Sequence, residues 1–208
     1  MISPPQVVDP KVSRAKFDRE VAAYRGLEAT YRKRGWLLLE AEFPEVVVAF
    51  AATKLRPPPV VAAVVVDFTD YDLQPLSVRF VDPFTRERLL ASNVPFQMLR
   101  RPPMPGIQPE AIAALMQQGA VPLLHMLQAN KPDDYPFICL PGIREYHDNP
   151  AHTGDSWLLH RGSGEGSLAF ILEKIWIYGV EPLSTYQVQV QVQTPNVMFG
   201  IAFQGIPE

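Results

Sequence analysis

Between residues 36 and 81 the chain repeats one pattern four times: a short run of β-branched and aromatic residues closed by a turn or proline signal. The runs are Trp36 to Glu42, Glu45 to Ala52, Val60 to Phe68 and Leu76 to Val81. Each is too short for a helix pattern and rich in the residues that suit a pleated surface. Short connections between them favour antiparallel neighbours, so the stretch predicts a four-stranded meander. Two of the runs are apolar nearly throughout, as expected where both faces of a strand are partly covered.

One amphipathic helix precedes the strands. Asp9-Pro10 supplies a cap acceptor and a proline at the first helical position. Phe17, Val21, Tyr24, Leu27 and Tyr31 then recur at helical spacing up to a stop at Gly35, with Arg14, Lys16, Arg19, Arg25 and Arg32 on the other face. After the strands, residues 82 to 106 read as irregular. Gln108-Pro109-Glu110 opens a second helical pattern carrying Ile112, Leu115 and Met116, and Gly119 breaks it. A further helical turn or two is expected from Val121 to Gln128. From Lys131 to Gly166 little regular pattern exists. Ser167 then caps a helix lined by Leu168, Ile171, Leu172, Ile175 and Tyr178, and Gln187 to Gln193 alternates apolar and polar like a half-exposed strand. Strands and helices are segregated, so the fold class is α+β, a single domain over 1–208.

Composition narrows the function classes. The formal net charge is -3, and Arg32-Lys33-Arg34 and Arg100-Arg101 are too short for a nucleic-acid stripe, so no nucleic acid is expected as partner. No apolar run reaches the roughly 20 residues of a membrane helix. Met1 to Gln6 lacks the basic and apolar regions of a signal peptide, so a cytoplasmic location without membrane attachment is expected. The 22 prolines lie between the periodic segments and punctuate a folded domain. One cysteine excludes an internal disulfide framework.

That cysteine lies in the irregular stretch with three other chemical side chains. Cys139, Glu145, His147 and His152 form a C-x5-E-x-H-x4-H arrangement bounded by proline and glycine. Such loops carry function disproportionately. Three readings compete. Cys139 is a nucleophile whose thiol the histidines activate, with Glu145 orienting an imidazole or accepting a proton. Alternatively the four side chains hold zinc, whose preferred ligands they are, although the spacing fits no standard zinc module. In the plainest reading Cys139 is a small buried apolar residue and the histidines are loop residues. Asp155 and His160 are near enough to extend the site. Gly162 to Gly166 lacks the lysine of a phosphate loop and reads as a flexible hinge, and His125 reads as a packed or capped histidine in the helical stretch.

Ile138-Cys139-Leu140 resembles the active-site text of the ubiquitin-conjugating enzymes. Leu73 to Phe80 is similar to that family's proline-bearing approach to its fourth strand, and Trp157 follows the cysteine as a tryptophan does in the family. The Cys-Glu-His-His set with Gly154-Asp155-Ser156-Trp157 resembles a divergent bacterial branch named for those four residues and described as a predicted metal-binding domain. That branch is encoded beside ubiquitin-like proteins, activating enzymes and JAB-type peptidases in antiviral defence operons. The resemblance implies a ubiquitin-conjugating-enzyme-like fold with an extra C-terminal strand. It implies a thioester carrier on Cys139, with Glu145, His147 and His152 as acid–base and oxyanion groups. Partners would be a ubiquitin-like protein, its activating enzyme and a target amine, with a second copy of the chain as one candidate for the C-terminal strand. No cofactor is required, since the activating enzyme consumes the nucleotide. The family's His-Pro-Asn element has no counterpart in Val81 to Thr85, so amides near Gly142 or His147 are expected to hold the oxyanion. A zinc module or hydrolase on the same four residues, and a non-catalytic binder of ubiquitin-like proteins, are the alternatives.

Overall fold

The computed structural model describes residues 7–193 and 196–204, the strands after Thr185 by backbone alone. The reading of Met1 to Gln6 falls outside the described residues, as do the two faces expected of Gln187 to Gln193.

Asp9 caps helix α1 (Pro10–Gly26), its carboxylate accepting from the Lys11 amide at 2.9 Å. Phe17, Val21 and Tyr24 turn inward, as their spacing predicts. The expected single helix is two: α1 ends at Gly26, and a short α2 (Glu28–Lys33) follows Leu27, whose φ of -114° and ψ of 8° break the helical path. A glycine inside a helix weakens it by roughly 1 kcal/mol, which explains the position of the break. The bend lets Tyr31 stack on Trp36, rings 4.5 Å apart at 11°. Gly35 then reverses the chain at φ +87°, and its carbonyl accepts from the Ala51 amide.

The meander follows: β1 (Trp36–Glu42), β2 (Glu45–Ala51), β3 (Val60–Asp67) and β4 (Ser77–Val81). They form one antiparallel sheet in the order β1-β2-β3-β4, with Val48 opposite Val64 and Val64 opposite Phe80. Side chains alternate between the two faces. Val46, Val48, Phe50, Ala62, Val64, Val66, Val78 and Phe80 join the main core, whereas Val47, Ala49, Ala63, Val65 and Val81 form a second buried patch on the other side. The apolar runs of β2 and β3 thus have the expected cause.

Beyond β4 come a 3-10 turn at Ala91–Asn93, β5 (Leu99–Arg100) and α3 (Pro109–Gln117). The helical turns expected from Val121 to Gln128 are not there. That stretch holds two strand fragments, β6 (Leu124–His125) and β7 (Leu127–Gln128), pairing with β5 and with β8 (Phe137–Ile138). Met126 is buried between them; its amide donates to Met98 and its carbonyl accepts from Cys139. Long-range pairing overrode the local helical spacing. Then come α4 (Arg144–Asp148), a 3-10 turn at Pro150–His152 and α5 (Trp157–His160).

Ser167 caps α6 (Leu168–Ile175) through the Phe170 amide, and a π-helical turn, Trp176–Val180, prolongs it. Leu168, Ile171, Leu172 and Ile175 are each at most 1% exposed, and each contributes about 2 kcal/mol by burial. The C-terminal alternation is strand β9 (Thr185–Gln193), but it has an unexpected antiparallel mate, β10 (Asn196–Gln204). Among the described residues, no helix is long and apolar enough to cross a membrane.

A Cβ at Gly35 would lie 2.2 Å from the Ala51 carbonyl oxygen, in a backbone conformation that side chains disfavour. Gly35→Ala is therefore expected to cost about 2–3 kcal/mol in urea unfolding with an unchanged m-value.

Candidate functional site

Cys139 is held by backbone bonds before any side chain acts. Its amide donates to the Met126 carbonyl at 2.7 Å, and the Leu140 amide bonds back to Ile138, placing the cysteine at the apex of a γ-turn. Pro141-Gly142 then makes the next corner, closed by Ile143 N–H to Leu140 at 3.0 Å. Ile138, Leu140 and Ile143 are buried on either side, so the thiol sits half-buried at the edge of the core.

The returning chain is stitched to the free edge of β4. The Arg144 amide donates to Leu76 at 2.9 Å, and the Arg144 guanidinium donates to the Thr69 and Pro75 carbonyls. Glu145 takes the same edge: its carboxylate accepts from the Ser77 hydroxyl and from the Val78 amide, the latter at 3.2 Å.

Of the three side chains singled out by sequence beside Cys139, His152 meets the thiol. His152 Nε2 lies 3.5 Å from Cys139 Sγ. His147 instead faces two carbonyl oxygens, Asp155 through Nδ1 at 2.9 Å and Pro141 through Nε2 at 2.6 Å. Carbonyls only accept, so the ring donates from whichever nitrogen bears a proton, and it lies between the Pro141 turn and the Asp155 loop. The sequence expectation that His147 supplies oxyanion stabilisation meets a ring whose two nitrogens both face backbone carbonyls. Among the described residues, no three His, Cys, Asp or Glu side chains are grouped to hold a metal ion.

Burial pushes the Cys139 thiol above its ordinary pKa, with Gln128 and the Arg100 charge pulling the other way. A preformed thiolate is therefore disfavoured in the resting protein. By geometry, His152 is the imidazole placed to exchange a proton with that sulfur. Gln128 and Arg100 escaped sequence reasoning because they come from β7 and β5, outside the cysteine loop, and neither belongs to a motif.

A second polar chain lies behind His152. Tyr146 stacks on the His152 imidazole, ring centres 4.0 Å apart at 23°. Its hydroxyl donates to Asp155 Oδ2 at 2.7 Å; Asp155 Oδ1 meets His160 Nε2 at 2.7 Å, and His160 Nδ1 meets Glu165 Oε2 at 2.9 Å. Burial, then the Asp155 bond, hold the Tyr146 hydroxyl protonated up to about 12. Tyr146 and His160 hold Asp155 below the usual carboxylate range, and Asp155, then Glu165, raise His160. Asp155 and His160, marked in the sequence as extensions of the site, thus reach it through Tyr146.

The glycine-rich stretch expected to be a hinge is exposed from Gly162 to Gly164, but its end at Glu165 and Gly166 is packed. A Cβ on Gly142 would lie 2.0 Å from the Glu165 carbonyl oxygen, and one on Gly166 would lie 2.3 Å from the Trp157 ring. Trp157 itself donates to the Asp72 carbonyl at 2.9 Å. His125, expected within a helix, is exposed on β6 and lines a groove of about 580 Å³ with Phe96, Leu127, Gln128 and Lys131.

The sequence comparisons agree with one another. A family model described as Y4jH-like, the Y4jH family, matches residues 8–183. The y4jH protein of Sinorhizobium fredii (strain NBRC 101917 / NGR234) is 53% identical over 203 residues, covering 98% of both chains.

Two outcomes follow from the site's electrostatics. His160 is raised in the fold, so its contribution to stability is complete below its ordinary 6.5 and disappears as pH climbs through the higher folded value. Melting temperature followed against pH should fall across that window in the native protein, and His160→Gln should flatten the fall. Gly142→Ala should lose about 2 kcal/mol or more in the same assay, since a methyl cannot share space with the Glu165 carbonyl.

Proposed function

The chain belongs to the Y4jH-like family, and we propose that it is a conjugating enzyme carrying a ubiquitin-like protein as a thioester on Cys139. The observation that carries the reading is the 3.5 Å approach of His152 Nε2 to the Cys139 sulfur, on a turn held at the edge of the core. It is supported further by the order of parts. A helix, a four-stranded antiparallel meander, a cysteine loop beside the last strand and a core helix α6 packing near α1 follow in the order that the resemblance to conjugating enzymes implies.

The chemistry balances without a cofactor. As the thiol attacks the carbonyl carbon of the incoming thioester, its proton passes to His152 and a tetrahedral oxyanion forms. Collapse of that intermediate expels the activating enzyme's sulfur, which takes the proton back. In the second step a target amine attacks the Cys139 thioester, loses a proton to His152, and displaces the Cys139 sulfur. Glu145 and His147 support the turn that presents the thiol, because each is already bonded to backbone or to Ser77. Placement in a bacterial, cytoplasmic antiviral pathway belongs to the same proposal and rests on the resemblance of the Cys139 to Trp157 text.

The test mixes the full chain with the ubiquitin-like protein, activating enzyme and ATP, and resolves the products with and without reductant. A thiol-sensitive adduct is expected, absent in Cys139→Ala and stable to thiol as an oxyester in Cys139→Ser. His152→Ala should slow adduct formation by on the order of a hundredfold. An adduct that survives in Cys139→Ala, or none in the native protein, would overturn the reading.

A further inference from the structure

The imidazole beside the thiol has little to hold it. His152 ends a three-residue 3-10 turn, and among the described residues the polar partner of its ring is the Cys139 sulfur. Phe137 offers only an edge, at 6.5 Å and 75°. The close partner is the Tyr146 ring, parallel to it at 4.0 Å. A base that must receive a proton from one defined atom requires its ring plane to be set, and stacking on a fixed aromatic sets it.

Tyr146 is itself anchored beyond what packing would need. Its hydroxyl bonds Asp155, Asp155 bonds His160, and His160 bonds Glu165. The Glu165 backbone closes the circuit by lying against Gly142, three residues from the cysteine. The chain of bonds starts and ends on the loop that carries the thiol.

We infer that Tyr146 is a positioning residue for the thiol's base: its ring, pinned through Asp155 to His160 and Glu165, holds His152 Nε2 on the Cys139 sulfur. The inference rests on the carrier reading for its purpose but not for its test. Groups facing the sulfur come from four places: His152 from the 3-10 turn, Tyr146 from α4, Gln128 from β7 and Arg100 from β5.

The test is the rate of Cys139 alkylation by iodoacetamide in the full-length protein, read by mass spectrometry from about pH 6 to 9. Native protein should react faster than His152→Ala by on the order of tenfold at the low end of that range. Tyr146→Leu should fall to the His152→Ala profile, and the double variant should be no slower than His152→Ala alone. Tyr146→Phe keeps the stack but loses the Asp155 bond, so its loss should be intermediate in the native background and absent in the His152→Ala background.

A merely structural tyrosine would lower the melting temperature and leave the profile on the native curve, which would overturn the inference. So would a double variant that loses the product of both single effects, or a His152→Ala profile identical to native. Should Tyr146→Leu fail to fold, Tyr146→Phe decides by the same comparison in the two backgrounds. Thioester formation with no Tyr146–His152 coupling sinks this inference alone; coupling with no thioester sinks the carrier reading alone.

Discussion

The site depends on the way the cysteine loop is fastened to the open edge of β4. An edge strand offers a row of unpaired amides and carbonyls. Here Leu76 bridges Ile143, the Arg144 amide and guanidinium take the Leu76, Thr69 and Pro75 carbonyls, and Glu145 takes the Ser77 hydroxyl and Val78 amide. On the other side of the turn, Met126 grips the Cys139 amide. The irregular chain from Cys139 to Ile143 is thus fixed by a rigid sheet on one side and by short strand fragments on the other. Without both attachments the thiol would ride on a loose loop, and an imidazole at 3.5 Å would have no persistent geometry.

The electrostatics of this arrangement keep the thiol protonated at rest, because partial burial raises it. A thiol of that kind would suit the proposed carrier, because its reactivity toward stray electrophiles stays low. The acidic and basic side chains behind His152 form one chain: Asp155 and Glu165 on either side of His160, and Tyr146 at its end. The two carboxylates share one imidazole, and the tyrosine ring is what faces His152.

Much of the scaffold was legible because it was written in periodicity. The strands expected from Trp36, Glu45 and Val60 begin at those residues, and the helix expected after Ser167 carries its four apolar residues into the core. Errors cluster where long-range contacts outweigh local spacing. Gly26 and Leu27 interrupt a helix whose apolar spacing runs on to Tyr31. Val121 to Gln128 has helical spacing but is drawn into strand fragments by β5 and β8, because Met126 bridges two backbones at once. Gly162 to Gly166 reads as a hinge by composition, yet its end is packed: Trp157 lies where a Gly166 side chain would go, and the Glu165 carbonyl lies where a Gly142 side chain would go.

The sequence alone determined the α+β order, the meander and the loop in which Cys139, Glu145, His147 and His152 are gathered, because each depends on residues near one another in the chain. Which of those four touches the sulfur was decided only by tertiary structure. Side-chain direction depends on turns at Pro141, Asn149 and Gly154 and on partners as distant as Ser77 and Asp155, and no local pattern encodes those distances. The same physics explains why the Tyr146 contact was invisible beforehand: one ring lies flat upon another only when the fold brings the two together.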